Sequence, residues 1–362
     1  MAPDVSLLCI CFCFCYCYCW GCFFFAHASA GSRFPAIIVF GDSSVDAGNN
    51  DFVDTVLRSD FAPYGRDFKG GEATGRFCNG RLATDFISEA VGLRPTVPAY
   101  LDPAHGIEDF AIGVCFASAG TGYDNATSDV LGSIPMWKEL EFFKEYRRRL
   151  QTYMGRRRAA LTLRNALYII SIGTNDFLEN YYLLPVRSLT YTIEEYQDFL
   201  IRLAERFIVD IYRLGARRIA LTALLPMGCL PLERTVSALT GGGCSEEYNK
   251  VAAQFNAKQM ALVEKLNVKL PGLRLIYSDV HRMYIEVMRR PASFGMENIE
   301  NGCCATGLFE MGYMCNRWNP FTCPDADKYL FWDAFHPTEK MNKITSDSFV
   351  KYALPKFFVK HV

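Results

Sequence analysis

The chain has 362 residues, half of them hydrophobic, with 38 Lys and Arg against 39 Asp and Glu for a net charge of −1. That length and apolar share suit one large α/β domain with a sizeable core. The balanced charge offers no electrostatic footprint for nucleic acid.

Residues 7–25 are almost wholly apolar and aromatic and end in Ala26-His27-Ala28-Ser29-Ala30. An Ala-x-Ala ending of this kind predicts a secretory leader over residues 1–30, cleaved after Ala28 or Ala30, and a mature chain 31–362 forming a single domain without a stable membrane span. A retained anchor is the alternative, because residues 1–6 lack Lys and Arg and the apolar stretch is long. Seven of the 15 cysteines fall in this leader, leaving eight in the mature part, an even number that fits disulfide formation in an oxidising compartment. The predicted address is extracellular, in the wall, or the lumen of the endoplasmic reticulum. Asn125-Ala126-Thr127 is a glycosylation acceptor on that route, with Asn125 the attachment site.

The apolar run Pro35-Ala36-Ile37-Ile38-Val39 leads into Phe40-Gly41-Asp42-Ser43-Ser44-Val45-Asp46-Ala47-Gly48-Asn49-Asn50. A β-branched run closed by such a turn reads as a buried strand delivering Ser43 to a sheet edge, with Asp42, Asp46 and Asn49 holding the loop through side-chain hydrogen bonds. Glycine-punctuated segments follow at residues 64–71 and 74–81, marking a long loop of the functional kind, and residues 82–91 have helical spacing. Residues 109–117 read as a second strand ending in Ser118-Ala119-Gly120-Thr121-Gly122. An amphipathic helix is predicted over residues 135–158, its two Arg triplets on a solvated face. Residues 166–172 form the third strand, ending in Gly173-Thr174-Asn175-Asp176.

A long helix over residues 193–214 is closed by Gly215, a fourth strand follows at 218–222, and a helix over 245–270 stops at Pro271-Gly272. A fifth strand at 273–277, a helix from 280, and a last helix running to about residue 350 complete the pattern. This alternation predicts a parallel sheet covered on both faces.

Acyl transfer needs a nucleophile, a base, a carboxylate to orient the base, and donors for the oxyanion. Ser43 supplies the first. Asp333 and His336, three apart in Phe331-Trp332-Asp333-Ala334-Phe335-His336-Pro337-Thr338, can bring a carboxylate to one imidazole nitrogen and leave the other for Ser43. The backbone near Gly120 and the Asn175 amide are candidate donors.

Gly-Asp-Ser-Ser-Val-Asp-Ala-Gly-Asn-Asn, Phe-Ala-Ser-Ala-Gly, Gly-Thr-Asn-Asp and Asp-Ala-Phe-His-Pro-Thr resemble, in order, four blocks of the plant GDSL esterase/lipase family. Gly-Cys-Cys-Ala-Thr-Gly and Thr-Gly-Arg-Phe-Cys-Asn-Gly-Arg strengthen the likeness. The resemblance implies an SGNH-hydrolase fold, a flavodoxin-like three-layer sandwich with five parallel strands. It also implies Ser43 as nucleophile and first oxyanion donor, Gly120 as second and Asn175 as third, His336 as base and Asp333 as its orienter, with no metal or organic cofactor. Gly122 is the alternative second donor. Two positions depart from the family: Ser44 stands where its name has Leu, and Cys115 where Asn is common.

The implied activity is a serine esterase or lipase acting on lipid or short acyl esters through an acyl-serine. Transfer of the acyl group to an alcohol, as in cutin-type polyester synthesis, uses the same residues. A catalytically silent glycan- or lipid-binding wall protein that has kept the scaffold is a further alternative; loss of Ser43, Asp333 or His336 would support it, and all three are present. Oligomeric state has no signature here.

Cys229 and Cys244 flank the segment Thr240-Gly241-Gly242-Gly243 and are predicted to pair. Of Cys303, Cys304, Cys315 and Cys323, the adjacent first two are not expected to bond each other, which leaves two pairings open. Cys78 and Cys115 remain, as a pair or as buried thiols.

Overall fold

The structure is a computed structural model and describes residues 32–359 except 185 and 239–241. The predicted leader lies outside the described residues. Five strands, β1 (Ile37–Gly41), β2 (Gly113–Cys115), β3 (Leu167–Ser171), β4 (Arg218–Thr222) and β5 (Arg274–Ser278), form one parallel sheet in the order β2-β1-β3-β4-β5. Successive side chains of a strand point to opposite faces, and here both faces are buried. Ile38, Phe40, Tyr168, Ile170, Ile219 and Leu221 join one core, whereas Ile37, Val39, Leu167, Ile169 and Ala220 join the other.

Helix α1 (Ala83–Ala90) lies on the second face with the chain's C-terminal segment, through Ile87, Phe349, Leu354 and Phe357. The short helices α2 (Ile107–Phe110) and α3 (Asn125–Leu131) flank β2. The first face is covered by α4 (Met136–Met154), α5 (Arg156–Asn165), α6 (Ile193–Arg213) and, after the short α7 (Pro231–Ala238), α8 (Glu246–Lys269). Helices α9 (Val280–Arg289) and α10 (Glu339–Ser348) follow β5 and the cysteine-dense segment respectively. The expected three-layer sandwich is therefore present, with its strand order reversing around β1. In open α/β sheets that switch point, at the carboxyl ends of the strands, is where ligands bind.

Three local expectations are corrected. Residues 109–117 are not one strand: Asp109 accepts the Gly106 N–H at 3.1 Å and caps α2, so that β2 is confined to Gly113–Cys115. The predicted helix over 135–158 is two helices, broken at Gly155, whose φ of +81° an L-residue tolerates poorly. A second, two-stranded sheet of β6 (Asn298–Gly302) and β7 (Tyr329–Phe331), absent from the sequence reading, carries the cysteine-dense region.

Cys229 pairs with Cys244 as expected, and the open choice resolves to Cys303–Cys323 with Cys304–Cys315. Cys78 and Cys115 are free and buried, and burial pushes both thiols well above their usual range. No helix among the described residues is long and apolar enough to cross a membrane.

Candidate active site

Where β1 ends, the chain tightens into one turn: the Val45 and Asp46 N–H groups both donate to the Asp42 carbonyl, at 3.1 and 3.0 Å. Gly41 makes the approach possible. Its φ is +145°, and a Cβ there would lie 1.9 Å from the Ser171 carbonyl oxygen of β3. The turn presents Ser43 at the sheet edge, and the rest of its block ties that edge to the neighbouring one. Asp46 accepts from the Gly48, Asn49 and Ala119 N–H groups at 2.8, 2.7 and 3.1 Å. Asn49 donates to the Cys115 and Ala117 carbonyls at 2.9 and 2.8 Å, and Asn50 donates to that of Ala119 at 3.0 Å. Asp46, Asn49 and Asn50 thus clamp residues 115–119 beside the turn that carries Ser43.

The structure brings Ser43, His336 and Asp333 into one chain of hydrogen bonds. Ser43 Oγ lies 2.8 Å from His336 Nε2, and His336 Nδ1 lies 2.8 and 2.9 Å from the two oxygens of Asp333. A carboxylate only accepts, so Nδ1 carries the imidazole proton and Nε2 faces Ser43 as an acceptor. Asp333 and His336 sit in a tight loop, since Asp333 Oδ1 also accepts the N–H groups of Phe335 and His336 at 2.8 and 2.7 Å. All three side chains are buried. Spacing alone does not make such a pair: Asp102 and His105 have it too, and both are partly exposed on the surface, 3.6 Å apart.

Two neighbours of this chain escaped the sequence reading. Tyr64, fully buried, donates from its hydroxyl to Asp333 Oδ2 at 2.7 Å and accepts the Gly312 N–H at 2.9 Å. Burial, reinforced by the Asp333 charge, holds its phenol well above the usual range, so it stays a donor. Phe77 lies against the imidazole of His336 with ring centroids 4.9 Å apart. Both belong to the glycine-punctuated loop already marked as functional, but 269 residues separate Tyr64 from Asp333 and no local pattern announces the contact.

The candidate oxyanion donors lie on the three adjoining turns. The N–H groups of Ser43 and Gly120 have no acceptor among the described residues. Asn175 is buried and gives one amide hydrogen to the Thr121 carbonyl at 3.0 Å, leaving the other unspent. Gly120 adopts φ +86°, and both glycines are closely packed: a Cβ would meet Ser133 Oγ at 2.3 Å on Gly120 and Asp176 Oδ1 at 2.3 Å on Gly122. Asp176 anchors this corner by accepting from the Tyr123 and Asp124 N–H groups and the Thr127 hydroxyl at 2.8, 3.1 and 2.6 Å. The chain continues in a π-helical segment, Asp176–Leu183, a form that recurs at functional sites.

Buried carboxyl groups surround the turn. Glu139 of α4 accepts the Gly41 N–H at 3.1 Å, its other oxygen has no partner among the described residues, and burial raises it well above the carboxylate range. Asp176 is raised to about 7 by burial, and Glu179 to about 8 by burial and then by the charges of Asp42 and Asp176. Ser44, the departure from the family name, donates to Asp42 at 2.6 Å and lies 2.9 Å from the Ser171 hydroxyl, contacts a Leu would lack. Cys115, the other departure, sets its thiol against the Val45 carbonyl at 3.1 Å. Among the described residues no cluster of His, Cys, Asp or Glu suits a metal ion.

The chain is similar to three curated GDSL esterase/lipases of Arabidopsis thaliana. They are 58%, 57% and 57% identical over 323, 325 and 326 residues, which is 89%, 90% and 90% of this chain and 92%, 93% and 93% of theirs. Among solved structures, an acetylxylan esterase from Geobacillus stearothermophilus aligns over 91% of this chain and 96% of its own, at 13% identity and a TM-score of 0.40. The model of the GDSL-like lipase/acylhydrolase family matches residues 37–349, nearly the whole described chain. With that coverage and those identities, the chain belongs to the GDSL-like lipase/acylhydrolase family.

Proposed function

We propose that this carboxylic ester hydrolase works by a covalent acyl-serine, with Ser43 as nucleophile, His336 as general base and Asp333 as orienter. The observation that carries the reading is the continuous hydrogen-bonded chain from Ser43 Oγ through His336 to Asp333, at 2.8 Å for both of its shortest links. Ser43 Oγ attacks the ester carbonyl carbon while its proton passes to His336 Nε2. The negative charge moves to the carbonyl oxygen, which the N–H groups of Ser43 and Gly120 and the free amide hydrogen of Asn175 receive. Collapse expels the alcohol with the proton from His336 and leaves the acyl group on Ser43. A water, deprotonated by the same nitrogen, then releases the acid and restores the serine. Gly120 stands ahead of Gly122 as second donor in the order that the family resemblance implies.

Secretion belongs to the same proposal. The apolar leader ending in Ala-x-Ala and three disulfides support an oxidising address, with residues 31–362 as one domain and the exposed Asn125 as a glycan site. The substrates are lipid or short acyl esters.

Hydrolysis of 4-nitrophenyl acetate and butyrate by purified protein tests the mechanism. Ser43→Ala and His336→Ala should each abolish nearly all turnover, and the double variant should be scarcely worse, because the residues act as a unit. Unchanged hydrolysis by Ser43→Ala overturns the assignment.

A further inference from the structure

We infer that the disulfide-stapled segment 304–323, together with residues 52–61, forms a docking surface for a neutral apolar ester phase. The inference deepens the proposed hydrolase reading by naming the physical form of its substrate. Two bonds, Cys303–Cys323 and Cys304–Cys315, hold the segment, which contains little regular structure. It nevertheless exposes Phe309, Tyr313, Trp318 and Phe321 to 48%, 58%, 79% and 70%. Phe52 and Val56, 46% and 60% exposed, stand on the adjoining segment. The two segments touch: Phe61 stacks on Tyr313 with centroids 5.3 Å apart, and a Cβ on Gly312 would lie 3.9 Å from the Arg58 carbonyl.

A single exposed apolar side chain needs no explanation, but six large ones on two contacting segments make a patch of the kind that marks an interaction site. Trp and Tyr suit the boundary between water and an apolar phase, and a cross-linked loop presents them without a large ordering penalty on binding.

Charge selects the partner. Between Cys304 and Cys323 the only charged residues are Glu310 and Arg317. Glu310 is buried, accepting from the Thr306 hydroxyl and the Leu308 and Phe309 N–H groups, and Arg317 lies over the Trp318 ring at 4.6 Å. On the adjoining segment the exposed charges are acidic, Asp54 and Asp60. Such a patch lacks the basic cluster that anionic phospholipid requires and fits an uncharged surface. It is also joined to the catalytic strand end. The Ala334 N–H donates to the Glu310 carbonyl at 2.9 Å, and Tyr64 bridges Gly312 to Asp333. A surface held by the patch therefore lies beside the segment carrying Asp333 and His336.

The test uses flotation with a gum-stabilised trioleoylglycerol emulsion, with vesicles of dioleoylphosphatidylserine as the anionic arm, and turnover of 4-nitrophenyl acetate in solution. The mature protein should float with the emulsion and not with the vesicles. Trp318→Ser with Phe321→Ser should lower that partition by about tenfold or more, since each ring loses a burial worth that much or more. The same variant should keep soluble-ester turnover within twofold. Ser43→Ala should float as wild type, so failure of the serine assignment shows in turnover and failure of docking shows in flotation. Equal partition of the double variant, preference for the anionic vesicles, or a role of the two rings confined to self-association of the protein overturns the inference.

Discussion

Tyr64→Phe removes one oxygen atom from the site and leaves the ring in place. Asp333 Oδ2 then loses its 2.7 Å hydrogen bond and keeps only the imidazole, while Oδ1 retains the Phe335 and His336 N–H groups. A hydrogen bond to a charged group contributes about 1.5–3 kcal/mol, which would be roughly 10- to 150-fold in rate if all of it acted in the transition state. Because the two backbone donors on Oδ1 still hold the carboxylate, we expect the lower end, a fall of about tenfold in kcat with KM unchanged. The Gly312 N–H loses its acceptor as well, and a buried orphan donor costs about 1–3 kcal/mol, so the melting temperature should drop by roughly 5 °C. Steady-state kinetics on a soluble nitrophenyl ester separate the effects, since a purely structural tyrosine moves the melting temperature alone. A kcat within twofold of wild type would refute a positioning role for Tyr64.

Asn175→Ala should lower kcat by roughly a hundred- to a thousandfold with little change in KM, as expected for one preorganised oxyanion donor; an effect on KM alone would reassign it to ground-state binding. Cys229→Ser should lower the melting temperature by several degrees, because opening a loop of 15 residues forfeits about 3 kcal/mol in the chain-entropy model, and adding Cys244→Ser should change little more. Alkylatable thiols at both positions in the oxidised protein would rule the pairing out. For Glu139 the native state holds the proton more tightly than the unfolded chain, so wild-type stability falls as pH rises from the ordinary glutamate range toward the raised native value, by up to about 1.4 kcal/mol per pH unit. Glu139→Gln lacks that slope and should gain on wild type between pH 5 and 8 in urea denaturation; parallel pH profiles would contradict a protonated Glu139.

What could be read from the sequence divides by the range of the interaction that encodes it. Ser43, Gly120 and Asn175 each follow an apolar run, so the period of the strand and the small or polar residues closing it announce the position without knowledge of the fold. Asp333 and His336 were legible because their contact is local, three residues apart and completed by backbone N–H groups of the same loop. Tyr64 was invisible because its partner lies on a distant segment. Glu139 was misleading: on an amphipathic helix a charged residue reads as solvent-facing, yet it is fully buried against the Gly41 N–H, a group that β1 leaves without a strand partner.

The same division explains the polar residues of the Ser43 block, of which Asp46 and Asn49 were expected only to hold their own loop. Asp46 does cap its own turn, but its second oxygen, both nitrogen contacts of Asn49 and the Ala119 contacts of Asn50 reach across to residues 115–119. Three side chains therefore fix the spacing between the turn carrying Ser43 and the one carrying Gly120. An oxyanion hole assembled from two separate strand ends needs that spacing held within a fraction of an ångström, because donors contribute fully only when aimed beforehand at the developing charge. On this reasoning Asp46, Asn49 and Asn50 are positioning residues for the proposed Ser43 and Gly120 donors, and the density of buried polar contacts here is what sets that distance.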